Sequence, residues 1–123
     1  MINWIKGTVC NMIVTLNKNY ITLNNSAAGN FADYKWCIIG IDDEKKQLVI
    51  KAISKNDIDL HLYPTENLTK LNFGNGYIRI ANKNMMQALE KIIIYPLESN
   101  TKYSASFDEN ENMLIVDLSR KGD

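Results

Sequence analysis

The chain has 123 residues, of which 46% are hydrophobic and 23% are charged, and this composition is typical of one globular domain with a single core. Lysine and arginine (14) balance aspartate and glutamate (14), which excludes binding of nucleic acid or anionic lipid through an overall positive field alone. The apolar runs are far shorter than the roughly 20 residues that cross a bilayer. No signal peptide pattern is found at residues 1–6, so we expect a cytoplasmic protein without a membrane segment.

The first part of the chain predicts two hairpins separated by a short helix. Short β-branched runs on either side of an asparagine turn, and a second pair around the charged connector at 42–46, are typical of strands joined by turns. The predicted strands cover residues 12–16, 20–23, 34–41 and 47–53. Asparagine and serine at 24–26 are good N-caps and predict a helix over 27–32. Leu48, Ile50 and Ala52 alternate with their neighbours, which indicates a strand with one face in the core.

The second part begins after a middle stretch at 56–73 that we interpret as a connector. Within it, residues 60–63 predict a brief strand that Pro64 ends, because proline cannot donate to a ladder. Glycines at 74 and 76 then predict a turn into a strand at 77–80. Asn82 is expected to cap a helix over 83–92, whose apolar residues recur at helical spacing. A hairpin of strands 103–107 and 113–118 follows, and the tail at 119–123 is expected to fray.

The two parts have the same order of elements. A strand, a helix and an acid-turned hairpin occur in residues 12–55 and again in residues 74–118. Two such copies are too few for a solenoid. The sequence therefore predicts a single α+β domain over residues 1–123, mostly antiparallel β with two short helices, in which two diverged repeats share one core.

This pattern resembles the AbrB and MraZ group of bacterial regulators, whose unit is a strand, a short helix and a hairpin that interleaves with a second copy. The similarity lies in Ile21-Thr22-Leu23-Asn24 with 36–53, and in Ile78-Arg79-Ile80 with 104–118. It also resembles small uncharacterised proteins of phages and mobile elements with a similar tandem. The resemblance implies a swapped-hairpin fold and DNA binding as a homodimer. It places the candidate nucleic-acid contacts at Lys18, Arg79 and Lys83.

Other residues that could carry chemistry do not form a catalytic or metal-binding pattern. Cys10 and Cys37 have no zinc-type spacing with His61, and without a secretion signal we expect two reduced, buried thiols. His61 has no nucleophile nearby in the sequence that supports catalysis. Residues 108–112 start like a calcium loop, but the loop glycine and bidentate glutamate are missing, which favours a solvated turn. We expect no cofactor, no metal and no small-molecule substrate.

Two hypotheses for the function remain open. The first is a non-enzymatic regulator of AbrB-like fold that binds DNA, as a homodimer so that two basic edges add. The second is a protein-interaction module, an adaptor or inhibitor carried by a phage or mobile element, which suits the neutral charge because protein interfaces need no positive field. An enzyme ranks behind both hypotheses.

Overall fold

The computed structural model describes residues 1–5, 11–93 and 100–119. Within these residues there are nine strands and three α-helices. The strands are β1 (Met12–Leu16), β2 (Ile21–Leu23), β3 (Trp36–Asp42), β4 (Gln47–Ile53), β5 (Thr69–Lys70), β6 (Asn72–Phe73), β7 (Ile78–Ile80), β8 (Thr101–Asp108) and β9 (Met113–Asp117). The helices are α1 (Asn25–Ala28), α2 (Lys55–Asp59) and α3 (Lys83–Ile92). The fold is mostly antiparallel β with a few short helices.

All nine strands belong to one antiparallel sheet with the order β5-β3-β4-β9-β8-β1-β2-β7-β6. The strands at its two ends are neighbours in the chain, since only Leu71 separates β5 from β6. One short segment therefore pairs with β3 through its first half and with β7 through its second half. The Leu71 amide donates to the Lys35 carbonyl at 2.9 Å and continues the first pairing. The sheet is consequently nearly closed and barrel-like.

Each hairpin pairs with strands that lie outside its own part of the chain. The hairpin β3–β4 pairs through β3 with β5, and the hairpin β8–β9 pairs through β8 with β1. Two further pairings, β2 with β7 and β4 with β9, join the N-terminal and C-terminal parts directly. Because every one of these four contacts links strands far apart in sequence, neither part completes its own sheet.

The core lies inside this sheet. Alternate residues of the strands point inward, as the two-residue period of a strand requires, and Leu48, Ile50 and Ala52 of β4 are buried as predicted. Where β2 pairs with β7, Ile21 lies opposite Ile80, and both side chains are fully buried in the core. Helix α3 adds the side chains of Met85, Met86 and Leu89 to the same cluster. No helix among the described residues has the length and apolar character needed to span a membrane.

Asparagine side chains begin two of the helices, in agreement with the capping signals in the sequence. Asn82 accepts from the Met85 amide at 3.0 Å and starts α3 at the predicted residue. Asn24 accepts from the Ala27 amide at 3.1 Å. The first helix is shorter than predicted, because α1 ends at Ala28 and continues only as a 3₁₀ turn, Gly29–Phe31.

Replacing Asn24 with alanine is expected to lower the free energy of unfolding by about 1–2 kcal/mol, because more than a helix cap is lost. The Asn24 side chain also accepts from the Ile13 amide at 3.1 Å and donates to the Asn11 carbonyl at 2.9 Å, and so joins α1 to β1. Urea unfolding measures the change. The exposed neighbour Asn25→Ala is the matched control and should change stability by less than about 0.5 kcal/mol. Equal effects of the two substitutions would contradict this role of Asn24.

The middle of the chain differs most from the sequence prediction. Residues 60–63 form no strand, and His61 lies in a turn with φ of 55°. Helix α2, which was not predicted, begins at the cap Ser54, whose hydroxyl accepts from the Asp57 amide at 3.1 Å. The predicted connector at 56–73 also contains a 3₁₀ turn, Thr65–Asn67, and both strands that close the sheet. These elements are too short to leave a periodic signal in the sequence.

The Cys37 thiol is free and fully buried in β3, as the sequence predicts for that cysteine. Burial removes water from the thiolate and raises the pKa of Cys37 from 9.0 to about 12. Cys10 and residues 120–123 of the predicted tail at 119–123 lie outside the described residues. Because of its raised pKa, the Cys37 thiol stays protonated at neutral pH and is unreactive.

The raised pKa of Cys37 predicts a loss of stability in alkali. Below pH 9 the thiol is protonated in both states, whereas between pH 9 and 12 only the unfolded state loses the proton. The free energy of unfolding should therefore fall by up to about 1.4 kcal/mol per pH unit in this window. Urea unfolding of Cys37→Ala measures this contribution, because tyrosines and lysines titrate equally in both proteins. Parallel stability curves for the two proteins above pH 9 would contradict the prediction.

Candidate nucleic-acid interface

The charged residues of most strands and of the segments next to them separate into two parts of the sheet. The other described residues that carry charge, in 33–35, 54–66 and 90–93, include three basic and five acidic side chains. Residues 11–32, 67–89 and 100–107, which hold β1, β2, β5, β6, β7 and most of β8, contain five basic residues and no acidic residue. These basic residues are Lys18, Lys70, Arg79, Lys83 and Lys102. Residues 36–53 and 108–119, which hold β3, β4, β9 and the end of β8, contain three basic and seven acidic residues. Their formal charges are +5 and −4 (3 − 7), although the whole chain is neutral.

A row of polar and basic side chains crosses the outer face of the positive part. Thr15 of β1 is opposite Lys102 of β8 on one side and Thr22 of β2 on the other. Thr22 is in turn opposite Arg79 of β7, and Arg79 is opposite Asn72 of β6. The residues before and after each of the three central positions are buried, so this row points outward. We call these five residues the basic row.

Arg79 is held in position by two tyrosines. Its guanidinium lies 4.8 Å from the centroid of the Tyr20 ring and 5.1 Å from that of the Tyr77 ring, within the range of cation–π contacts. Gly74 permits this arrangement, because a Cβ at that position would overlap the Tyr77 ring. The Arg79 side chain is exposed. It therefore presents a charged, oriented planar donor group to the solvent.

The structure brings the three candidate residues to one end of the sheet. Lys18 lies in the turn between β1 and β2, and Lys83 in the first turn of α3 directly after β7. The pairing of Ile21 with Ile80 places the start of β2 beside the end of β7, and all three candidate side chains are exposed. Sequence reasoning did not select Lys102 or Lys70. Their outward positions follow from strand alternation, but their proximity to Arg79 depends on pairings between distant strands.

The acidic hairpin at 108–112 is a turn. The Asp108 carboxylate accepts from the amides of Asn110 at 3.0 Å and Glu111 at 3.2 Å, and Asn112 has φ of 57°. The carboxylate thus satisfies the local backbone, as aspartate does in many turns. In the part of the chain that the structure describes, no group of three or more metal-ligating side chains is assembled.

Comparisons with known proteins returned no match for this chain among family models, curated proteins or solved structures.

Proposed function

We propose that this protein is a non-enzymatic DNA-binding regulator whose basic row contacts the phosphate backbone. The observation that carries the proposal is the separation of charge within a neutral chain. Five basic residues and no acidic residue are found in residues 11–32, 67–89 and 100–107, which hold β1, β2, β5, β6, β7 and most of β8. A local positive surface is what phosphate binding requires when the net charge is zero.

The geometry of the basic row supports backbone contacts more than base readout. Lys102 and Arg79 stand three strand spacings apart, about 14 Å, with the hydroxyls of Thr15 and Thr22 between them. Lysine, arginine and threonine side chains are typical donors to phosphate oxygens. With Arg79 as the single arginine among the described residues, bidentate contacts to guanine are scarce. The expected binding depends weakly on sequence.

The proposed fold relationship is to the AbrB and MraZ group. The two parts of the chain each run through strand, helix and hairpin. The hairpin β8–β9 pairs through β8 with β1 of the first part, and the hairpin β3–β4 pairs through β4 with β9 of the second. The Ile50–Leu114 and Thr22–Arg79 pairs join corresponding strands of the two parts. This exchange of hairpins supports two diverged swapped-hairpin units within one chain, which we include in the proposal.

We further propose that the protein acts as a homodimer, so that two basic rows bind one nucleic acid. The strands at the ends of the sheet order, β5 and β6, have only two residues each and are joined to each other, so a dimer would form through side chains. Light scattering after size exclusion measures the mass, and a monomer at concentrations that saturate DNA binding would contradict this part of the proposal.

The test is a titration of fluorescently labelled DNA, duplex and single-stranded, at 50 and 200 mM salt. Three phosphates neutralised by basic side chains correspond to a slope of log K against log salt of about −2.7 for a duplex and about −2.1 for a single strand, so affinity should fall roughly 40-fold or roughly 20-fold over this range. A variant with Lys45 and Lys46 replaced by glutamine is the matched control, because these lysines lie in the acidic β3–β4 turn. It should bind as the natural protein does. If neither form of DNA binds at 50 mM salt, the proposal fails.

A protein-interaction module is the second candidate function. Leu60 and Leu62 are 60% and 58% exposed and flank His61 in the turn after α2. A protein partner that covers these two leucines would remove their apolar surface from water. Such binding would depend little on salt and would be lost in a Leu60→Ser, Leu62→Ser variant. That variant should leave DNA binding unchanged.

A further inference from the structure

A groove beside the basic row contains two exposed aromatic side chains. Its volume is about 540 Å³, and it lies where β5 and β6 meet β3. The lining residues are Lys35, Trp36, Lys70, Leu71, Asn72 and Phe73. The Trp36 and Phe73 side chains are 37% and 51% exposed. The lining includes two lysines and no acidic residue, so the groove is both aromatic and positively charged.

The groove is continuous with the basic row. Trp36 is opposite Lys70 in the β3–β5 pairing, and Asn72, which belongs to both features, is opposite Arg79. The Lys70 and Asn72 side chains share the outer face, since the buried Leu71 between them points inward. The basic row and the Trp36 side chain therefore lie on the same outer face, with Lys70 and Asn72 between them. Phe73 is opposite the buried Ile78 and lines the groove at the end of β6.

Exposed aromatic rings suggest which nucleic acid the surface accepts. Paired bases stack on each other inside a duplex, so a duplex offers phosphates but few base faces to a ring on a protein surface. A single strand offers both, and surfaces for it combine cations along the backbone with aromatic rings that stack on bases. Lys35 and Lys70 beside Trp36 and Phe73 correspond to this combination.

We propose that the groove stacks unpaired bases, and that the nucleic acid bound along the basic row is single-stranded. This inference rests on the proposed function, because it assumes that the basic row binds phosphates. Trp36 supplies the ring surface beside the basic row, Phe73 adds an aromatic wall at the end of β6, Lys35 and Lys70 neutralise the adjacent phosphates, and Arg79 continues the contact toward β2. Stacking tolerates all four bases, so the preference is for strandedness more than for sequence.

The test compares the full chain with labelled 20-nucleotide oligothymidine and with a 20-base-pair duplex at 50 mM salt. The single strand should bind more tightly than the duplex. Trp36→Ala should weaken single-strand binding about 5- to 150-fold, Phe73→Ala should weaken it less, and both should change duplex binding less than twofold. Trp4→Ala is the matched control, since Trp4 is 88% exposed and lies outside the groove. It should have no effect on either affinity.

A second measurement leaves the groove intact and so does not depend on the folding of the groove variants. In a Trp4→Phe protein the only tryptophan is Trp36, and oligothymidine should quench its fluorescence as the groove fills. Duplex binding with no quenching and no effect of the groove variants would overturn the inference and leave the proposed function standing. Failure of both nucleic acids to bind would overturn the proposed function and the inference with it. If a protein partner quenched the Trp36 fluorescence and oligothymidine did not bind, the inference would also be overturned.

Discussion

Truncation of Ile21 or Ile80 to alanine is expected to lower the free energy of unfolding by about 2–5 kcal/mol, the range measured for large-to-small changes in a buried core. The two side chains are fully buried and face each other where β2 pairs with β7. Because this pairing joins the two parts of the chain directly, the cavity lies at their junction. The loss is a large fraction of the 5–15 kcal/mol that stabilises a typical domain. Urea unfolding followed by circular dichroism measures it.

The Thr22→Ala variant is the matched control for this prediction. Thr22 lies in the same strand pair but faces outward, so its truncation should cost less than about 1 kcal/mol. The conservative Ile21→Val and Ile80→Val changes should cost about 0.5–1.5 kcal/mol each and keep the protein folded. The free energy of unfolding of the double valine variant should fall by less than the sum of the two single losses. Each single loss already includes the contact between the two side chains, so their sum counts this contact twice. Strict additivity would show that the two side chains do not share one cavity.

The second large effect is expected at Arg79. Arg79→Gln should weaken DNA binding by about tenfold, about 1.4 kcal/mol, because one charge-assisted contact to phosphate is lost. The slope of log K against log salt should become less steep by about one. The Arg79 side chain is exposed and points away from the buried Ile78 and Ile80, so the loss of its contacts with the two tyrosines should lower stability by only about 1 kcal/mol. Anisotropy titrations at several salt concentrations measure both quantities.

Arg79→Lys separates the charge of this residue from its planar shape. Lysine keeps the charge and therefore the salt slope, but it lacks the flat guanidinium that packs between Tyr20 and Tyr77. We expect an affinity between those of the natural protein and Arg79→Gln. Lys45→Gln removes one positive charge from the acidic part of the chain and serves as the control. If it weakened binding as much as Arg79→Gln, the effect would reflect net charge and not the basic row.

Local signals in the sequence predicted several elements at their observed bounds. Strand β4 and helix α3 match residues 47–53 and 83–92, because strict alternation, an asparagine cap and helical spacing are properties of neighbouring residues. The start of helix α2 also has a local signal in the sequence. Ser54 followed three residues later by Asp57 is a capping pattern, and the structure has that hydrogen bond.

The candidate interface was predicted in part. Lys18, Arg79 and Lys83 were selected through the family resemblance, and the structure leaves all three exposed at one end of the sheet. Lys102, Lys70 and Trp36 were missed. In the sequence they are separated from Arg79 by more than 20, by 9 and by more than 40 residues, and no local pattern connects them.

By itself the sequence located the start of most strands and helices to within two residues, and showed which of their faces are apolar, since these depend on the period of neighbouring side chains. The closure of the sheet was decided only in three dimensions. Strands β5 and β6 have two residues each and exist because β3 and β7 offer free backbone donors and acceptors on either side of Leu71. The basic row and the aromatic groove follow from the same distant pairings, which assemble a positive surface from a chain of zero net charge.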